Sequence, residues 1–134
     1  MGANGITTRG VRNNNPLNIR KSLDNWRGKV GDDGEFVKFD TMNNGLRAAF
    51  RNLKTYFTKH KINTVGGIVN RWAPPVENDT AAYVNFVTSK TGYDINKELN
   101  FDFNTVGPIV KAMAQMESNY IPTESELRTA WASM

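Results

Sequence analysis

The stretch VGPIVKAMAQMESNY, residues 106–120, constrains this chain more than any other, because it can bury one continuous face only as a helix. Val106, Val110 and Met113 recur at helical spacing, and the next position on the same face is Glu117. An apolar stripe of this kind must be covered by other elements, which commits the chain to a packed helical core. A carboxylate that closes the stripe is only partly solvated, and desolvation raises its pKa toward the range a general acid needs near neutral pH. Asn119 and Pro122 end the helix. Glu117 therefore falls in the last turn, where the helix dipole disfavours a negative charge by a few tenths of a kcal/mol or more. A residue that departs from a local rule invites a functional explanation. The other reading is that Glu117 lies at the edge of the face and reaches water, and periodicity does not choose between the two.

The rest of the chain supplies partners for that stripe. Trp26 to Val30 and Glu35 to Phe39 flank the turn Gly31-Asp32-Asp33-Gly34, which predicts a small antiparallel sheet within residues 18–39, anchored by Phe36 and Phe39. Asp40 or Thr41 starts a helix carrying Leu46, Ala49, Phe50, Leu53, Tyr56 and Phe57 to about Lys59. Thr64 caps a short helix through Ile68, Val69 and Trp72, stopped by Pro74-Pro75. Asp79 or Thr80 caps the next, which ends before Gly92, and Thr123-Glu124-Ser125-Glu126 is a capping box opening a last helix through Leu127 and Trp131. The expected fold is α+β and mainly helical, a single domain over residues 1–134 with a small β-hairpin lobe and a mobile segment at 1–10. A chain of 134 residues suffices for one core and is short for two.

Composition narrows the chemistry. There is no cysteine and one histidine, which excludes a cysteine nucleophile, a disulfide framework and a His/Cys zinc site. His60 sits at the polar end of a helix in Thr58-Lys59-His60-Lys61, a setting for a solvated side chain rather than a Ser-His-Asp site. A hydrolase built from this chain would rely on carboxylates, with no metal and no cofactor. The net charge of +4 suits an anionic partner, a nucleic acid, a membrane surface or an acidic wall polymer, although the basic residues form no dense run. No stretch approaches the ~20 apolar residues of a membrane span, and the N-terminus lacks the pattern of a secretory signal. The expectation is a soluble protein that would need a phage particle, a lysis route or a secretion machinery to reach a cell wall. A nucleic-acid partner is not expected, because no helix-turn-helix or aromatic stacking strand is recognisable.

Two blocks are rich in groups suited to sugars. One is Arg12-Asn13-Asn14-Asn15-Pro16-Leu17-Asn18-Ile19-Arg20 with Asn25-Trp26-Arg27-Gly28, and the other is Arg71-Trp72-Ala73-Pro74-Pro75-Val76-Glu77-Asn78-Asp79-Thr80 with Tyr83 one turn later. Amides match vicinal hydroxyls and acetamido groups, and an indole offers an apolar plane to a pyranose face. Asparagine is also ordinary turn chemistry, and composition alone favours that reading. For Asp79 and Thr80, helix capping is a sufficient role.

Asn14-Asn15-Pro16-Leu17-Asn18-Ile19-Arg20, Trp26-Arg27-Gly28, Phe36-Val37-Lys38-Phe39-Asp40-Thr41 and Gly45-Leu46-Arg47-Ala48 together resemble a family of phage virion-associated structural proteins. Arg71-Trp72-Ala73-Pro74-Pro75 with Glu77-Asn78-Asp79-Thr80 resembles it as well. That family is similar to wall-cleaving glucosaminidases and lytic transglycosylases of the lysozyme-like superfamily. The resemblance implies a lysozyme-like fold over roughly residues 10–120 and cleavage of bacterial peptidoglycan, as a muramidase or lytic transglycosylase. The glucosaminidase acid precedes the Asn-Asn segment, and residues 1–13 hold no acid. Ala112-Met113-Ala114-Gln115-Met116-Glu117-Ser118 resembles the transglycosylase helix that ends in Glu-Ser, an order expected of a circular permutation. The expected catalytic acid is Glu117, with Glu77 second; Glu77, Glu35 and Asp40 are candidates for an accompanying negative group. Asn14, Asn15, Asn18, Trp26, Asn78 and Tyr83 are expected to line the glycan cleft. The alternative is a catalytically inactive virion structural or cell-wall-binding protein that keeps the cleft.

Overall fold

The computed structural model describes residues 7–134. In chain order the elements are α1 (Arg9–Arg12), β1 (Lys29–Asp32), β2 (Val37–Phe39), α2 (Met42–Thr58), α3 (Val65–Trp72), α4 (Thr80–Thr91), α5 (Phe103–Ser118) and α6 (Glu124–Ala132). The architecture is α+β and mainly helical. The start of the 1–10 segment lies outside the described residues. Its end does not behave as expected, because Arg9 and Gly10 begin a helical turn that packs on α5.

Side-chain caps set the helix starts. Thr41, Thr64, Asp79, Asp102 and Thr123 each accept a main-chain N–H from the first turn of α2, α3, α4, α5 and α6, and Thr123 with Glu126 completes a reciprocal capping box. Left-handed residues close two of them, Gly92 after α4 and Asn119 after α5. The cap at Asp102 starts α5 three residues before the Val106 at which the apolar stripe begins.

Helix α5 is the axis of the core and packs against α1, α2, α4 and α6. Val106, Ile109, Val110 and Met113 on it are fully buried against Leu46, Phe50 and Leu53 of α2, Ile68 and Val69 of α3, and Val87 of α4. Trp131 of α6 meets Phe50 edge-on at 5.3 Å and Phe101 at 4.9 Å, which fixes the last helix on the core. The hairpin β1–β2 is antiparallel with an irregularity between Lys29 and Gly31, and a bridge between Arg20 and Phe36 extends it. Its buried face, Val37 and Phe39 with Ile19 and Ala48, forms a second small cluster.

The segment between α1 and the hairpin is stitched by one side chain. Asn15 is fully buried; its Nδ2 donates to the main-chain oxygens of Ile19 at 3.0 Å and Val37 at 2.9 Å, and its Oδ1 accepts from the Ile19 N–H at 2.9 Å. Gly45 of α2 passes so close to this segment that a Cβ on it would stand 1.9 Å from the Asn14 carbonyl oxygen.

Candidate active site

A groove of about 260 Å³ opens where the Asn18–Arg20 segment, the end of α3 and the end of α5 meet; it is lined by Asn18, Ile19, Arg20, Phe36, Tyr56, Trp72, Ala73, Pro74, Glu77, Asn78 and Glu117. Three larger concavities of 350, 460 and 530 Å³ carry Asp24, Glu124 and Asp79 as their acids, and all three of those side chains are exposed. Glu117 is the half-buried acid of the groove.

The last turn of α5 is held from the N-terminal side. Thr8 Oγ1 donates to the Ser118 main-chain oxygen at 2.7 Å, and the buried Ser118 hydroxyl donates to the Pro16 carbonyl at 2.8 Å. Gly10 leaves room for that serine, since a Cβ there would overlap Ser118 Oγ at 1.8 Å. With Ser118 turned inward, its neighbour Glu117 faces the groove. Asn18, in a left-handed conformation with φ of 52°, donates from Nδ2 to Glu117 Oε1 at 3.1 Å and to the Glu117 main-chain oxygen at 3.3 Å. Both partners of that amide are acceptors, which fixes its orientation. Its Oδ1 is buried with no hydrogen-bond partner among the described residues.

Burial pushes the Glu117 carboxyl above its ordinary value, and the Asn18 amide, the neighbouring Tyr83 and the positive charge of Arg20 pull it back only in part. Tyr83 is buried, and among the described residues its hydroxyl makes no hydrogen bond within normal geometry. Burial and the adjacent Glu117 carboxylate drive that phenol well above its ordinary range, so it stays protonated beside the acid. The result is a carboxyl that holds its proton more readily than a solvated glutamate and faces an open groove.

Aromatic and apolar side chains form the sides. Tyr56 and Trp72 lie 6.0 Å apart, and the Trp72 indole donates to the Leu17 carbonyl at 3.2 Å. Opposite them, Arg20 lies 5.4 Å from the Phe36 ring and pairs with Glu35 at 2.8 Å and Glu77 at 3.4 Å. Arg20 thus joins the hairpin to the loop after α3 at the rim.

Several sequence expectations meet this geometry. Glu117, Asn18 and Asn78 line one groove, and Glu77 stands at its exposed rim. Asn78 also donates to the Pro74 carbonyl at 3.0 Å, shaping the loop. Asn15 does not line the groove, because its amide is spent on three main-chain bonds in the interior. Asn14 is likewise structural: its amide donates to the main-chain oxygens of Phe39 at 3.1 Å and Asp40 at 3.3 Å. Trp26 lies elsewhere, packed on Ile19, Val37, Phe39 and Ala48 and lining a separate basic pocket. Tyr83 lies beside Glu117 but does not line the groove. The expectation that Asn15, Trp26 and Tyr83 surround one groove is therefore incorrect. Of the accompanying acids, Glu35 and Glu77 are both bonded to Arg20, whereas Asp40 accepts from Asn44 at 2.9 Å and does not line the groove.

Tyr56, Arg20 and Phe36 are groove residues that sequence reasoning does not single out as site residues. Tyr56 fits the apolar periodicity of α2 and so reads as core. Arg20 and Phe36 are brought together by a bridge that only the hairpin creates.

The fold and the groove define a small, mainly helical α+β protein with a semi-buried glutamate facing a polar and aromatic cleft. No protein-family model matches the chain. It is 43% identical over 119 residues to Protein P5 of Pseudoalteromonas phage PM2, an alignment covering 85% of this chain and 73% of that protein. The chain belongs to the family of that phage protein.

Proposed function

We propose that this protein cleaves the glycan strand of bacterial peptidoglycan, with Glu117 as the proton donor and a lysozyme-like use of its groove. The observation that carries the reading is the Glu117 carboxyl itself, desolvated at the end of α5, oriented by Asn18 and open to a cleft walled by Tyr56 and Trp72. A protonated Glu117 gives its proton to the glycosidic oxygen as the bond from that oxygen to the anomeric carbon breaks, leaving oxocarbenium character on the sugar.

The fate of that positive charge follows from the rim. Glu35 and Glu77 are both paired with Arg20, so neither is a free carboxylate poised for covalent attack. The reading therefore favours neutralisation by the substrate: its acetamido oxygen, or the muramyl C6 hydroxyl. In the latter case the hydroxyl oxygen bonds to the anomeric carbon and its proton returns to Glu117. Water attacking the same carbon would give hydrolysis by the same proton transfers.

The second reading is a catalytically inactive virion structural or wall-binding protein that retains the groove. The Arg20 pairs that tie up both rim carboxylates favour it, and membership in a phage protein family is compatible with it. Zymography on purified peptidoglycan with mass analysis of released fragments separates the two. Anhydro or reducing muropeptides from the wild type and none from Glu117→Gln support cleavage. Tight binding to peptidoglycan with no release by either protein supports the inactive reading.

A further inference from the structure

We propose that the face formed by the loop around Leu23 and the outer side of α2 is a docking surface for an anionic lipid bilayer, seating a phosphate headgroup among Arg27, Arg47 and Arg51 with Leu23 entering the apolar layer. The face is separate from the groove, sharing no lining residue with it, and does not depend on whether the groove is catalytic.

Three observations carry it. Between Asp40 and Glu77 the sequence contains no acidic residue and six cations, a segregation stronger than the net charge of +4 suggests. Arg47, Arg51 and Lys54 of α2 recur at helical spacing, and among the described residues no Asp or Glu pairs with any of them or with Arg27. Arg27, Arg47 and Arg51 converge on a pocket of about 350 Å³ with Trp26 as its aromatic side. Arg47 is partly desolvated there and repelled by Arg27 and Arg51, which lowers its pKa. Arg27 and Arg47 each donate to the Ser133 carbonyl, at 2.9 and 3.0 Å, and Arg47 also reaches the Met134 oxygen at 3.5 Å, while the Arg51 guanidinium makes no hydrogen bond among the described residues. Among the described residues Asp24 is the one acid lining the pocket, and it accepts from the Ser22 hydroxyl at 3.0 Å.

The third observation chooses the partner. Leu23, next in sequence to this pocket, is fully exposed at 103% of its reference area. The Lys29 amine donates to the carbonyls of Ser22 at 3.3 Å and Asp24 at 3.1 Å, so the loop presents Leu23 outward at its apex. An apolar tip within a basic collar gains nothing from a polysaccharide or from a nucleic-acid backbone. It matches a bilayer, whose headgroups take guanidinium groups and whose interior takes a leucine.

The test is co-sedimentation of the whole protein with vesicles containing about 30 mol% phosphatidylglycerol in phosphatidylcholine, against phosphatidylcholine alone, at about 0.1 M salt, where charges act over about 10 Å. Binding should be at least about tenfold tighter to the anionic vesicles. Arg51→Gln and Lys54→Gln should each weaken it about fivefold. Leu23→Ser should weaken it roughly tenfold or more. All three side chains are exposed, so thermal unfolding should match the wild type. Glu117→Gln should bind like the wild type, which separates this surface from the groove. Equal partitioning to both vesicle types overturns the proposal, as does retention of anionic-vesicle binding by the two cation variants. Unchanged binding in Leu23→Ser, together with tighter capture of a single-stranded oligonucleotide, also overturns it and assigns the basic face to nucleic acid.

Discussion

At the scale of single residues, Glu117 and Asn15 are two polar side chains taken out of water with opposite consequences. Burial raises the Glu117 pKa, so in the pH interval from its unfolded value up to its folded value the native state holds more protons than the unfolded chain. Stability linked to this group is therefore greatest at low pH and declines as pH rises through the folded pKa. Glu117→Gln should abolish glycan release, a loss of roughly 10²–10⁴-fold or more from the missing proton donor. It should also raise the melting temperature at pH 7 while changing it little near pH 4, since a few tenths of a kcal/mol of helix-end repulsion disappear. Calorimetry at the two pH values checks this; a melting temperature lowered at pH 7 would refute the assignment of Glu117 as a desolvated acid. Asn15 is the opposite case, a polar side chain whose partners are all main chain. Asn15→Ala leaves the buried Ile19 N–H without its partner and takes one donor from each of the Ile19 and Val37 carbonyls, the former of which keeps the Val37 N–H, and urea unfolding should report a loss of about 1–3 kcal/mol. A variant as stable as the wild type would mean that the amide is dispensable, as a ligand-binding side chain would be.

At the scale of elements, the helices with polar caps were readable because capping is local chemistry. Thr41, Thr64, Asp79 and Thr123 announce α2, α3, α4 and α6 within four residues of sequence, and the apolar stripe announces α5. Helix α1 is four residues with no side-chain cap, and what holds it is distant. Arg9 reaches Asp33 through Nε at 2.5 Å and Nη2 at 2.9 Å, and Asp33 also accepts from Asn13 and from the main-chain N–H groups of Glu35 and Phe36. Nothing in the sequence around Arg9 encodes that. Asp33 is held far below the usual carboxylate range, chiefly by Arg9, so its contribution to stability is present above the unfolded value of 3.8 and fades as pH falls below it. Asp33→Asn should melt lower than the wild type at pH 6, with the gap closing in more acid buffer. A gap independent of pH would show that the pair is incidental. Gly45→Ala tests the approach of α2 to the Asn14 carbonyl. The new Cβ meets main chain rather than a movable side chain, and a loss of about 1–3 kcal/mol is expected in chemical denaturation.

At the scale of the whole molecule, the α+β class and the half-buried placement of Glu117 were legible, whereas four of the six residues expected to line the cleft lie outside it. Asparagine serves turns, interior stitching and sugar contacts with the same amide, and only the three-dimensional context separates Asn14 and Asn15 from Asn18. Trp26 was misassigned for a related reason: an indole close in sequence to an asparagine-rich loop turned out to cover the hairpin's apolar side. Among the described residues no group of three or more His, Cys, Asp or Glu side chains converges in a way that suits a metal ion. Any glycan cleavage should therefore proceed undiminished in EDTA. Loss of activity on chelation, restored by a divalent ion, would sink a mechanism resting on Glu117 alone.

The bonds that aim Glu117 join the two ends of the described chain: Thr8 to Ser118, Ser118 to Pro16 and Asn18 to Glu117 span 110, 102 and 99 residues. Contacts so far apart along the chain form late, after the intervening loops have closed. During synthesis the residues that orient the acid leave the ribosome early and wait for it, so no nascent fragment lacking α5 contains a complete cleft. The groove is complete only once residues 8–18 have met the last turn of α5.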